Sequence, residues 1–128
     1  MNVQVANKPR KWNQELGKRG EKFAADFYRR SGAEIIAHNV HYACGELDLI
    51  VREPDRTVVF VEVKTRSSSS YGGAESVTRR KVQRMRKAAL QWLQGKPRVK
   101  IRFDVVVLVV QGGSFSMEYF KGVDAGAR

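Results

Sequence analysis

The chain has 128 residues, enough to bury a core of its own without disulfide or metal staples. Lysine and arginine number 24 against 13 acids, a net charge of +11, which argues against a basic partner and for a polyanion, nucleic acid before an anionic membrane surface. No apolar run reaches the length of a membrane span, and the N-terminus MNVQVANKPRKWNQ lacks the apolar core of a secretory signal. The single cysteine, Cys44, has no intrachain partner, so a cytoplasmic protein with no membrane partner is expected.

Residues 1–13 are polar and basic and read as a loose N-terminal arm, followed by a single domain over 14–121 and a tail over 122–128. From Gln14 to Arg30 the pattern is helical, with Leu16, Gly20, Phe23, Ala24 and Phe27 on one stripe and Gly32 as the stop. AEIIAHNV (33–40) reads as a strand. ELDLIVRE (46–53) and RTVVFVEVK (56–64) flank a Pro-Asp turn and read as a β-hairpin. SSSSYGG (67–73) is a loop by composition. Helical spacing returns over 77–94, with Val82, Met85, Ala89, Trp92 and Leu93 inward, and Gly95 and Pro97 end it. RFDVVVLVV (102–110) is nearly continuous in apolar character, as in a strand covered on both faces, and SFSMEYF (114–120) reads as an edge strand. The order αβββαβ(β) defines an α/β (α+β) domain.

Side chains alternate along a strand, so Glu46, Asp48 and Ile50 share one face of the hairpin and Leu47, Leu49 and Val51 the other. On the second strand Phe60, Glu62 and Lys64 oppose Val59, Val61 and Val63. Matching the apolar faces pairs Leu47 with Val63, Leu49 with Val61 and Val51 with Val59, across a three-residue loop from Pro54 to Arg56. The same register sets Asp48 opposite Glu62 and Glu46 opposite Lys64.

Two chemistries suit that patch. Glu46 and Lys64 could form an exposed cross-strand ion pair and nothing more. Alternatively Asp48 and Glu62, with Glu46 as a further ligand, could share a hard cation, Mg2+ or Mn2+, because carboxylates that close repel until a proton or cation intervenes. A lysine beside such a cation could orient water or shield developing charge on a phosphate. Glu21, on the rim of the first helix's apolar stripe, is either a solvated helical acid or a neighbour of the site. His38, His41 and Cys44 have zinc-like spacing but lack a fourth soft ligand, and are expected as loop residues near the site entrance.

Arg79, Arg80, Lys81, Arg84, Arg86 and Lys87 make the second helix strongly basic, and residues 76–100 contain no acid. That pattern favours phosphate contact over a merely solvated face. Arg66 and the serine loop follow Lys64 directly and could reach the same backbone. Trp12 and Tyr71 are candidates to stack on bases, whereas Trp92 lies on the apolar stripe and reads as core.

Taken in order, GKRGEKFAADFYRRSG, GELDLI, FVEVKTR, VTRRKVQRMRKAALQWL and RFDVVVL resemble the YraN-type family of uncharacterised bacterial proteins. That family is similar in turn to archaeal Holliday junction resolvases and the PD-(D/E)XK nuclease superfamily. The resemblance implies a restriction-endonuclease-like fold, a mixed sheet flanked by helices. It implies Asp48 and Glu62 as metal ligands, Lys64 as the catalytic lysine and Glu21 as a helix-borne acid beside the metal. Glu46 has no counterpart in the minimal motif, and Asp104 is expected to be structural or supporting. The activity so implied is Mg2+- or Mn2+-dependent hydrolysis of DNA phosphodiesters, with branched or damaged DNA as candidate substrates. The alternatives are a non-catalytic nucleic-acid-binding module that retains the fold and a protein-interaction domain with structural hairpin charges. Junction resolvases act as dimers, so SFSMEYF is a candidate homodimer edge, with monomer and dimer both open.

Overall fold

The computed structural model describes residues 10–67 and 78–123, with side chains from residue 14. Seven elements follow one another: α1 (Arg10–Arg30), β1 (Glu34–Tyr42), β2 (Gly45–Arg52), β3 (Val58–Arg66), α2 (Arg79–Leu93), β4 (Ile101–Gln111) and β5 (Ser114–Phe120). The strands form one mixed sheet in the order β1-β2-β3-β4-β5, antiparallel except for the parallel pair β3–β4, which α2 connects. The protein is therefore an α+β sheet flanked by helices, in the element order expected. No helix among the described residues is long and apolar enough to cross a membrane.

α1 begins at Arg10, within the segment expected to be a loose arm and four residues before the expected start at Gln14. The helix ends in a Schellman motif: Ala33 N–H donates to the Tyr28 carbonyl at 3.0 Å and Gly32 N–H to that of Arg29 at 2.9 Å, with Gly32 at φ 95°. Buried Tyr28 and Ala33 supply the apolar contact that accompanies it.

Each helix covers one face of the sheet. Ala24, Ala25 and Tyr28 of α1 pack on Leu49, Val51, Val59, Val61, Val106 and Leu108. Met85, Ala88 and Ala89 of α2 pack on Leu47, Ile50, Val58 and Phe60, and Trp92 meets Phe60 edge to face at 5.8 Å, so this tryptophan belongs to the core. Val105 to Leu108 of β4 are buried on both faces, as the continuous apolar run predicted.

The β2–β3 hairpin closes on Glu53 N–H to the Thr57 carbonyl, 2.9 Å, around the expected three-residue loop. Its ladder keeps the expected parity, with Leu49 opposite Val61 and Val51 opposite Val59. It stops there. Leu47 does not pair with Val63, and it packs with Ile50 on the α2 face rather than with Leu49 on the α1 face. Alternation thus slips by one residue at Asp48, which lies opposite Asn39 with its φ of 54°; the ladder's own register shift lies farther along β1, between Ile35 and Ala37.

Asp104 lies wholly buried within β4. Tyr28 Oη donates to it at 2.7 Å, Tyr119 Oη at 2.9 Å, Arg102 Nε at 2.9 Å and Gly122 N at 3.0 Å. Arg102 continues the network with a bidentate pair to Glu53 at 2.9 and 2.7 Å. Burial alone would raise the Asp104 carboxyl, but these donors outweigh it and hold it below the usual carboxylate range. This acid ties α1, β4, β5 and the hairpin turn together, the supporting role expected of it.

Candidate functional site

The site forms where β2 leaves β3. Asp48 Oδ2 accepts a hydrogen bond from Val63 N–H at 2.7 Å, so its carboxylate takes the position that a β2 carbonyl would hold in a continued ladder. Glu62, the residue before Val63, is buried beside it. The two carboxylates are neighbours, though not through the direct cross-strand pairing that strict alternation implied.

Their electrostatics record that closeness. Burial first, and the negative charge of Glu62 second, push the Asp48 carboxyl up to about 7 from 3.8, while the Val63 hydrogen bond opposes the shift. Glu21 and Glu46 add further negative potential. Glu21 projects from α1 into a cleft of about 410 Å3 that Lys18, Ala25, Ile35, His38 and Leu49 also line.

Cations gather on the Glu62 side. Lys81 Nζ, from the first turn of α2, donates to Glu62 Oε2 at 3.2 Å. Lys64 stands next to Lys81. A side-chain hydrogen bond between Lys64 and Lys81, then burial and the Lys81 charge, push Lys64 below the usual lysine range, with Glu62 opposing. For Lys81 burial works downward, but Lys64 and Glu62 together raise it.

Close backbone approach positions these groups. Gly20, next to Glu21, faces Thr65 of β3 so tightly that a Cβ would collide with the Thr65 hydroxyl. At Gly45 a Cβ would lie 2.6 Å from the Arg84 carbonyl oxygen of α2. The two glycines let α1 and α2 close on opposite sides of the sheet at the same end, which brings Glu21 and Lys81 toward the carboxylate pair. Neither glycine stands out in the sequence as a site determinant. Their signal was a glycine immediately before each of two acids, GE at 20–21 and at 45–46.

Glu46 is a correction. It pairs across the sheet with His41, Glu46 Oε1 to Nδ1 at 2.8 Å, with both side chains well exposed, instead of facing Lys64. The slip at Asp48 separates the faces that regular alternation would have shared. Among the described residues no three of His, Cys, Asp and Glu form a ready-made metal cage. Asp48 and Glu62 remain as the oxygen pair, and their donor chemistry fits a hard cation: Mg2+ is commonly held by one or two carboxylates, with water and phosphate completing its shell. His38 and His41 lie on β1 rather than in a loop, and Cys44 Sγ instead contacts Gln91 Oε1 at 3.5 Å.

Arg79, Arg80, Arg84 and Lys87 are exposed on the outer side of α2. Lys81 departs from them, turned inward to Glu62. Arg66, at the end of β3, is half-buried. Trp12, as a side chain, and Tyr71 lie outside the described residues, as does the serine loop from residue 68 onward.

A profile of the uncharacterised protein family UPF0102 matches residues 20–108, a span that holds Glu21, Asp48, Glu62, Lys64 and Lys81. A UPF0102 protein of Corynebacterium efficiens is 53% identical over 117 residues, covering 90% of this chain and 96% of the relative. One from Syntrophomonas wolfei is 44% identical over 110 residues, covering 84% of this chain and 95% of the relative. Among solved structures, Pyrococcus furiosus SfsA in complex with Ca2+ aligns with 85% of this chain at 14% identity and a TM-score of 0.35; the chain spans 63% of that protein. Matched by the family profile over most of its length, and by relatives over nearly all of theirs, the chain belongs to the uncharacterised protein family UPF0102.

Proposed function

We propose that this protein is a Mg2+- or Mn2+-dependent nuclease that hydrolyses DNA phosphodiesters, with branched or damaged DNA as the preferred substrate class, acting in the cytoplasm. One observation carries the reading: Asp48 and Glu62 lie side by side where β2 leaves β3, with Asp48 raised by burial and then by Glu62, and Lys64 adjacent. A buried and a half-buried carboxylate side by side without a shared cation are costly, and a divalent ion would relieve the repulsion. Asp48 and Glu62 would hold the ion, which supplies Lewis acidity and lowers the pKa of bound water. Lys64 stands where an ammonium can orient a water or stabilise charge on a phosphate oxygen. Glu21 adds negative potential to the Asp48 side and supports the cation site.

The exposed cations of α2 supply the phosphate-binding surface. They share a helix with Lys81, so a backbone lying along Arg80, Arg84 and Lys87 would pass beside the carboxylates.

A second reading, a non-catalytic nucleic-acid-binding module, is favoured by the Lys81–Glu62 pair, since an internal ammonium already neutralises one carboxylate. Incubating the purified protein with branched, flapped, single-stranded and duplex DNA, with each metal, separates the two. The nuclease reading predicts metal-dependent cleavage, lost in Asp48→Ala and in Lys64→Ala. Salt-sensitive binding without cleavage, unaltered by either substitution, would support the binding module instead.

A further inference from the structure

We propose that Lys81 is a displaceable internal cation of the site, which holds Glu62 until a DNA phosphodiester draws its ammonium away, so that metal and DNA bind cooperatively. The inference rests on the reading of Asp48 and Glu62 as metal ligands, and extends it by assigning a role to a residue outside the two-strand motif.

The geometry separates a fixed part from a movable one. Thr78 caps α2 by accepting from the backbone N–H of Lys81 at 3.1 Å, so the first turn of the helix is anchored. The Lys81 side chain is 39% exposed, and its long flexible stem carries the ammonium to Glu62 at 3.2 Å. The ammonium can therefore swing between partners while the helix stays in place.

Charge is distributed unevenly around the carboxylate pair. Glu62 has Lys81 in contact and Lys64 beside it, whereas Asp48 feels Lys81 only through space and is surrounded by the charges of Glu62, Glu21 and Glu46. A divalent ion held by Asp48 and Glu62 would compete with Lys81 for the Glu62 carboxylate. Cation repulsion there weakens metal binding while Lys81 stays in place. A phosphodiester entering along α2 offers the ammonium another anion within reach of Arg80 and Arg84, which releases Glu62 to the metal. Linkage makes the effect reciprocal: DNA tightens metal binding by the factor with which metal tightens DNA binding. Such a site takes up its ion chiefly when substrate is present.

Mn2+ is titrated calorimetrically into wild type, Lys81→Met, Lys81→Gln and Lys81→Arg, each alone and with branched DNA carrying phosphorothioate linkages, which keep the backbone charge. Without DNA, the Met and Gln variants should bind Mn2+ about threefold more tightly than wild type, the size expected for a half-exposed ion pair. DNA should tighten Mn2+ binding to wild type and to Lys81→Arg by a similar factor, and should lose most of that effect in the Met and Gln variants. Two neutral variants guard against one failing to fold, which thermal unfolding detects. Wild-type or weaker Mn2+ affinity in both folded neutral variants, or DNA coupling as large as in wild type, would overturn the role of Lys81 while leaving the metal site intact. Absence of Mn2+ binding in wild type with and without DNA would instead overturn the nuclease reading, and this inference with it.

Discussion

Val63 N–H donates to Asp48 Oδ2 at 2.7 Å, a side-chain bond standing where the hairpin ladder has ended. It fixes an acid at the point where β2 parts from β3, close to the Glu62 carboxylate. The same bond satisfies a backbone donor that the parting would otherwise strand.

The position of Asp48 carries a pH signature. Its folded pKa of about 7 exceeds the ordinary 3.8, so between those values the folded protein retains a proton that the unfolded chain has released. The unfolded state binds fewer protons there, and stability therefore falls as pH rises through that window. Without metal, Asp48→Asn should be more stable than wild type by about 2 kcal/mol near pH ~8, roughly half the full linkage value because Asp48 is not wholly enclosed, and about equal to it near pH ~4. Denaturant unfolding with a chelator present measures both; an Asn variant less stable than wild type at the higher pH would refute the assignment.

Gly45→Ala tests the seating of α2. A methyl there would meet the Arg84 backbone carbonyl, which cannot rotate aside. A loss of about 1–3 kcal/mol is expected. The loss should be smaller for Gly20→Ala, where the obstacle is the Thr65 side chain. Equal stability of Gly45→Ala and wild type would show that α2 can retreat freely.

The buried hub at Asp104 should be among the most sensitive positions in the core. Asp104→Ala strands Arg102, Tyr28 and Tyr119 together, and should cost about 3–5 kcal/mol. Tyr28→Phe removes one donor and should cost about 1–2 kcal/mol. Thermal or urea unfolding ranks the two, and a reversed order would contradict the hub.

DNA binding should depend steeply on salt. With about six phosphate contacts, affinity should fall some thousandfold between ~50 and ~200 mM salt. Arg80→Glu with Arg84→Glu should flatten that slope, whereas reversal of Lys18, on the α1 cleft, should leave it nearly unchanged. A flat wild-type slope would favour a protein partner.

Much of this was legible in the chain. The valine and leucine faces of the hairpin determined its parity and loop length, and the unbroken run Val105–Leu108 marked a strand covered on both sides. Asp48, Glu62 and Lys64 stand out in the sequence because charge is expensive in such strands. The slip at Asp48 was hidden, since alternation assumes a regular strand and a bulge leaves no compositional mark. That slip sent Glu46 to His41 and Leu47 to α2. Lys81 was read as one cation among many; only the close approach of α2 at Gly45 distinguishes it from Arg80.

The most direct test of the central claim is a calorimetric titration of Mn2+ into wild type, Asp48→Asn and Glu62→Gln in the presence of DNA, near pH ~8, where Asp48 is ionised. The account predicts saturable binding to wild type, weakened about tenfold or more in each variant, since each removes one of the two carboxylates. Three indistinguishable titrations, or no binding by wild type, would contradict it.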